Sequence, residues 1–186
     1  MGRLHDNFIY RNLANAISIL GVLPLVLLFR EGGYAYLIPL IIFNNVMDDL
    51  DGVVALKLNI RSRLGADLDN LCDAVSHVTL VFVVGAHFGG AVLGFALIAA
   101  GSIMIRLALR LNPDAVKGGG SPTNELMRHL LFVLLLANLL DGDPVPWLIA
   151  IFILNAITML VPFKMKWLIR GMAKTATAVV AVNVVM

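Results

Sequence analysis

Apolar runs close to the length of a bilayer crossing recur along almost the whole chain, and such runs have few structural solutions. A span needs roughly 20 mainly apolar residues. With no water to bond its backbone, it must satisfy its peptide groups within itself, as an α-helix does. Six such segments stand at about residues 13–30, 34–56, 66–87, 91–111, 125–140 and 145–163. The 186 residues are 60% hydrophobic and only 14% charged, against about 25% charged in a soluble domain. The expectation is an all-α integral membrane protein, a single domain over 1–186 built as a six-transmembrane-helix bundle. Residues 2–12 read as a short N-terminal interfacial segment, with Thr123 or Asn124 as the cap of the fifth span. The tail 171–186 is small and apolar, too short for a seventh span, and stays unassigned. Arg3 and Arg11 before the apolar run 17–29 imitate a signal peptide, but no small-x-small cleavage site follows, so the run reads as a retained first span.

Charge sets the expected orientation. With six spans and a cytoplasmic N-terminus, Arg3, Arg11, Lys57, Arg61, Arg63, Arg106, Arg110, Lys117, Arg128, Lys164, Lys166, Arg170 and Lys174 all fall on the cytoplasmic side. Only Arg30 falls on the other side, with Asp141 and Asp143. This asymmetry predicts both termini in the cytoplasm of a cell membrane. Cys72 is the single cysteine, which excludes an intramolecular disulfide and any multi-cysteine metal site. Nothing in the composition calls for a nucleic-acid partner.

Six of the twelve carboxylates crowd between Asp48 and Asp73, inside two of the predicted spans. Acids at that depth are expensive, and their default reading is functional. Asp48 and Asp51 are i and i+3 on one helix, with Gly52 next to them and Ala55 continuing the face. Gly65, Asp69 and Asp73 are i, i+4 and i+8 on the next. Gly52 and Gly65 lack side chains, so the helices are expected to cross there at a small-residue seam, with both acidic faces lining one cavity near the cytoplasmic surface. Four converging carboxylates need a compensating charge, and hard oxygen ligands suit Mg2+ or Mn2+. A pair of ions can clamp an in-line displacement at phosphorus. Asp73 lies deepest on its stripe and is the better candidate for a general base. Asp49 and Asp67 point off the stripes and read as solvated charges.

Other polar residues keep two readings. Asn44 and Asn45 stand one turn before Asp48, placed either to contact a substrate base or metal-bound water or to hydrogen-bond between helices. Arg106, Arg110 and Lys117 either receive a phosphate or an anionic acceptor or are solvated positive-inside charges. His77 stands one turn after Asp73, within reach of a hydrogen bond to it.

The sequence Asp48-x-x-Asp51-Gly52-x-x-Ala55, then Gly65-x-x-x-Asp69-x-x-x-Asp73, resembles the signature of the CDP-alcohol phosphotransferases, membrane enzymes of phospholipid synthesis. One position departs: the family's arginine after Ala55 is Leu56 here. Lys57 or Arg61 is left to supply that phosphate contact. The stretch Ser62-x-x-Gly65-x-x-Leu68-Asp69-Asn70-x-x-Asp73-x-x-Ser76-His77 looks like the phosphatidylserine synthase branch, echoed by Arg110-Leu111-Asn112, Gly120-Ser121-Pro122 and residues 159–164. The resemblance implies transfer of a phosphatidyl group from a CDP-linked lipid to serine, releasing CMP, in a homodimer. It implies Asp48, Asp51, Asp69 and Asp73 at two metal ions, with Asp73 as base. Gly52, Ala55, Lys57, Arg61, Gly65, Asn45, Arg110 and Lys117 are then candidates for binding the substrates. The alternatives are the same chemistry on glycerol 3-phosphate or an inositol phosphate, or a small ion-binding or transport membrane protein. Against the last, no inverted repeat is visible and the acids gather toward one surface.

Overall fold

The computed structural model describes residues 8–112 and 122–160, and among these it is helical with no strand. Six α-helices follow in order: α1 (Leu13–Val22), α2 (Leu37–Lys57), α3 (Arg63–Phe88), α4 (Gly90–Leu111), α5 (Pro122–Leu139) and α6 (Val145–Leu160). One helical turn, Phe8–Arg11, precedes α1, and two 3-10 segments, Leu23–Phe29 and Gly33–Tyr36, link α1 to α2. The chain divides between Ser76 and His77 into two units.

In the first unit α1 packs along α2. The contact is made by small and polar residues. Gly21 lies so close to α2 that a Cβ there would meet Met47 Cβ at 3.0 Å. Buried Asn44 on α2 donates to the Gly21 carbonyl at 3.2 Å and to Ser76 Oγ at 2.9 Å. Both amide protons are used, and α1, α2 and the middle of α3 are tied at one point. The α-helix stops at Val22 because Pro24 lacks an N–H and would crowd the carbonyl four residues back, so the tighter 3-10 form continues to Phe29. Gly32 then turns the chain in the left-handed region at φ 70. Leu25, Leu28, Leu37, Leu40 and Ile41 fill the core beneath this turn.

In the second unit α6 packs against α4 and α5. On α4 the buried positions Val92, Ala96, Ala99, Ala100, Ile103 and Leu107 fall at helical spacing. On α6, which packs on α4 and α5, Leu148, Phe152, Ala156 and Met159 are buried in turn. The opposite faces are apolar too: Leu97, Ile98, Met104 and Ile105 on α4, and Leu154 and Ile157 on α6, are all exposed. A water-facing helix would carry polar residues there. The turn between α5 and α6 uses the acids of the 140s locally. Asp141 takes φ 48, Gly142 N–H bonds back to the Ala137 carbonyl at 2.9 Å, and Asp143 accepts from Val145 N–H at 2.9 Å.

The six expected segments all appear as helix, with changed limits. The first is α-helical only to Val22, and the second opens with a 3-10 turn at Gly33–Tyr36. The fifth starts at Pro122, so Thr123 and Asn124 lie inside its first turn and do not cap it; proline suits a first helical position, where no N–H is needed. Residues 161–163 of the sixth, and the tail 171–186, fall outside the described residues. Two helices, α3 and α4, are long and apolar enough to cross a membrane; Leu13–Phe29, His129–Leu139 and Val145–Leu160 are shorter apolar segments.

Gly85 on α3 sits against α4, where an added Cβ would lie 2.5 Å from Ala96 Cβ and 3.2 Å from Leu93 Cα. Neither atom is the end of a flexible side chain. Gly85→Ala should therefore destabilise the protein by about 1–3 kcal/mol, read as a lower unfolding midpoint in detergent.

Candidate functional site

Two local devices set the frame of the site, and both lie between α2 and α3. Asn59, at φ 53, ends α2. Its N–H bonds to the Leu56 carbonyl at 3.2 Å, and Ile60 N–H bonds to the Ala55 carbonyl at 3.1 Å. This is the Schellman pattern, with asparagine in place of the usual glycine. Ser62 then caps α3, its Oγ accepting from Gly65 N–H at 3.0 Å. Arg61 is carried between these two fixed points.

The acidic stripes meet. Asp48 and Asp51 on α2 and Asp69 on α3 each place a carboxylate oxygen within 4.8 Å of the others. At an effective dielectric of about 20, two unit charges 4.8 Å apart repel by about 3.5 kcal/mol. Three half-buried or buried anions at this spacing require a balancing charge. The donor set is all hard oxygen from two helices, which fits Mg2+ or Mn2+ and suits no soft metal. Asp51 is buried at 6% exposure, and Ser18 Oγ of α1 donates to its Oδ2. Asp73 stands one turn beyond Asp69 on α3, half-buried and outside the set of three. Asp49 is exposed, and neither it nor Asp67 joins the cluster.

A cavity of about 250 Å3 opens beside the acids. Its walls are Ala14, Asn15 and Ser18 from α1, Asp51, Gly52 and Ala55 from α2, Ile60, Arg61 and Ser62 from the loop, and Gly65, Ala66 and Asp69 from α3. Of the residues singled out in the sequence for substrate binding, Gly52, Ala55, Arg61 and Gly65 line it. Lys57 is exposed and does not line it; Asn45 is half-buried and does not line it either. Asn44 takes the interhelical reading, through its bonds to Gly21 and Ser76. Arg110 lies half-buried in the last turn of α4, in the second unit, and Lys117 falls outside the described residues. His77 is fully buried, and its Nδ1 has no hydrogen-bond partner among the described residues.

The expected seam at Gly52 is not there. Among the described residues nothing lies within 4 Å of a Cβ built on Gly52, which faces the cavity instead. Gly65 does accept a close neighbour, but it is Asn15 of α1 and not α2: a Cβ would sit 2.9 Å from Asn15 Oδ1 and 3.1 Å from Ser62 Oγ. The seam α2 does make is with α1, at Gly21. The sequence predicts α1 as the first span, but no site residue is singled out on it. The signal was present as Asn15-x-x-Ser18-x-x-Gly21, small and polar residues at helical spacing inside an apolar run. The two glycines should therefore respond differently to alanine. Gly52→Ala should be neutral or stabilising, by up to about 1 kcal/mol from helix propensity. Gly65→Ala should be the less stable of the pair by about 1 kcal/mol, since it presses on the Ser62 cap; thermal melts of the two variants check this.

Asp48 and Asp51 on α2 and Asp69 on α3 thus sit beside a cavity carrying an arginine, an arrangement suited to a metal-bound phosphate. A family model, CDP-alcohol phosphatidyltransferase, matches residues 11–180. No curated protein and no solved structure matches the chain. With the match running over nearly its whole length, the chain belongs to the CDP-alcohol phosphatidyltransferases, a membrane-integral and metal-dependent family that transfers a phosphatidyl group from a CDP-alcohol.

Proposed function

We propose that this chain is a CDP-diacylglycerol–serine O-phosphatidyltransferase, or its counterpart on an ether lipid, working from the cytoplasmic face of a cell membrane. The observation that carries the transferase reading is the convergence of Asp48, Asp51 and Asp69 beside a cavity lined by Arg61. The family match spans both units, which supports reading the chain as one catalytic domain. The outward apolar faces of α4 and α6 support a six-span bundle, and the lysine and arginine distribution supports a cytoplasmic site. A homodimer is what the family resemblance implies.

Asp48, Asp51 and Asp69 would hold one or two Mg2+ or Mn2+ ions. Bound there, such ions neutralise charge on the diphosphate and on the departing phosphate. Arg61 supplies a planar guanidinium to phosphate oxygens, the work given to the arginine that Leu56 replaces. Leu56 itself is 60% exposed and does not line the cavity. Gly52 leaves room for the headgroup. The serine hydroxyl oxygen forms a bond to the lipid-linked phosphorus while the bond from that phosphorus to the bridging oxygen breaks. CMP leaves with the electron pair, and Asp73 takes the hydroxyl proton. Alignment of hydroxyl and phosphorus is the larger contribution, because a free hydroxyl is a weak nucleophile.

Serine as acceptor rests on the likeness of residues 62–77 to the serine branch. Two residues of that stretch have fold roles: Ser62 caps α3 and Ser76 receives Asn44. An acceptor panel decides the matter. Purified protein with a CDP-linked lipid and Mn2+ should release CMP with serine and not with glycerol 3-phosphate or an inositol phosphate. Release with a phosphorylated alcohol alone overturns the serine reading, and release with none overturns the transferase.

Two substitutions test the roles. Asp69→Asn should abolish metal-dependent CMP release in a folded protein. Asp73→Asn should keep Mn2+ and nucleotide binding while transfer falls by roughly 10²–10⁴-fold, the usual loss of a general base. A rate restored by excess Mn2+ would make Asp73 a ligand instead.

Arg61 and Lys57 are separable in the same assay. Arg61→Ala should raise the KM for the CDP-linked lipid by about 10–100-fold, the value of a lost charged contact. Lys57→Ala should leave it nearly unchanged. The reverse order would return the phosphate contact to Lys57.

A further inference from the structure

We infer that Ser18 is a positioning residue for the metal ligand Asp51, holding one carboxylate oxygen so that the other is presented to the cation. This rests on the metal-site reading of Asp48, Asp51 and Asp69. Ser18 lies on α1, outside the acidic signature, and is 8% exposed. Its hydroxyl has one proton and two acceptors in reach. The Ala14 carbonyl lies at 3.2 Å, the ordinary back-bond of a serine inside a helix. Asp51 Oδ2 lies closer. The nearer and charged acceptor takes the proton, since hydrogen bonds to an ionised oxygen are the stronger kind.

The geometry has a consequence for the ligand. A carboxylate on a helix swings about its side-chain bonds, and three of them within 4.8 Å are pushed apart by their own charge. Asp51 is the most buried of the three, and Ser18 fixes it from a third helix. The anchor is itself fixed, because one turn on Gly21 is seated against Met47 and tied by Asn44. Outer hydrogen bonds of this kind orient ligating carboxylates, and losing one typically lowers metal affinity or activity by about 10–100-fold. Ser18 also lines the cavity, so activity alone would confuse positioning with substrate contact. Binding of the metal by itself separates them.

The test is Mn2+ binding to the purified full chain without substrate, followed by the electron paramagnetic resonance signal of free Mn2+. Ser18→Ala should weaken binding about 10-fold or more, and Ser18→Thr, which keeps the hydroxyl, should restore it to within about twofold of wild type. Asp69→Asn runs beside them as the control on the site. If Asp69→Asn loses Mn2+ while Ser18→Ala binds it like wild type, the positioning role is wrong and the site stands. If Asp69→Asn binds like wild type, the site reading fails and takes this inference with it. Should Ser18→Ala not fold, Ser18→Cys, close in shape but a weak donor, takes its place. Equal Mn2+ affinity in Ser18→Cys and Ser18→Thr would then overturn the role.

Discussion

Mutual repulsion among Asp48, Asp51 and Asp69 is the constraint around which the first unit is built. The fold holds three carboxylates within 4.8 Å of one another. It does so by fixing the backbones that carry them. Asn44, seven residues before Asp51, spends both amide protons on α1 and α3. Gly21 lets α1 approach α2 closely enough for that bond to form. Ser62 fixes the start of α3, so Asp69 is set by a capped helix and not by a fraying end. None of these residues is acidic, and each limits how far a carboxylate can retreat from its neighbours.

The acids and their helices were legible in the sequence because i, i+3 and i, i+4 spacing is an intrahelical property. Placing Asp48 with Asp51, or Gly65 with Asp69, needs only the helix repeat. What α2 and α3 touch is a tertiary property, and there the reading fell short. Gly52 and Gly65 share the same chemistry, yet one faces open space and the other is pressed by Asn15. No local rule distinguishes them. Asn15 and Ser18 escape for a different reason: they are uncharged residues in an apolar run, and their value appears only when α1 is laid against α2. The cap at Ser62 and the left-handed Asn59 carried sequence signals of their own, obscured by a loop read for its charges alone.

Where the family pattern has an arginine after Ala55, this chain has Leu56, and the arginine on the cavity wall comes from the loop, as Arg61. A side chain on α2 after Ala55 is directed by the helix, and moving from residue 56 to residue 57 rotates it by about 100°. Neither Leu56 nor Lys57 lines the cavity, and both are exposed. Arg61 is not bound by the helical repeat. The Schellman turn at Asn59 reverses the chain, puts Ile60 over Ala55, and brings Arg61 round to the same cavity. The turn and the cap at Ser62 leave few residues free between them, so the arginine is delivered by a short and well-tied segment.

Membrane solvent explains why small and polar residues hold these contacts. Lipid is as apolar as leucine, so helices gain little from burying leucine against each other there; close packing and interhelical hydrogen bonds carry the association. Gly21 against Met47, Gly85 against Ala96, and Asn44 between two helices are contacts of this kind. The same reasoning accounts for α2. It is 21 residues long, ample for a crossing, yet it is not among the helices apolar enough to pass as a span. Asp48, Asp49, Asp51 and Lys57 lower its hydropathy, and all stand in its second half. Its first half, with Leu37, Leu40 and Ile41 buried, is apolar like any span. The acids thus occupy one end of α2, whose other end is apolar and buried against its neighbours.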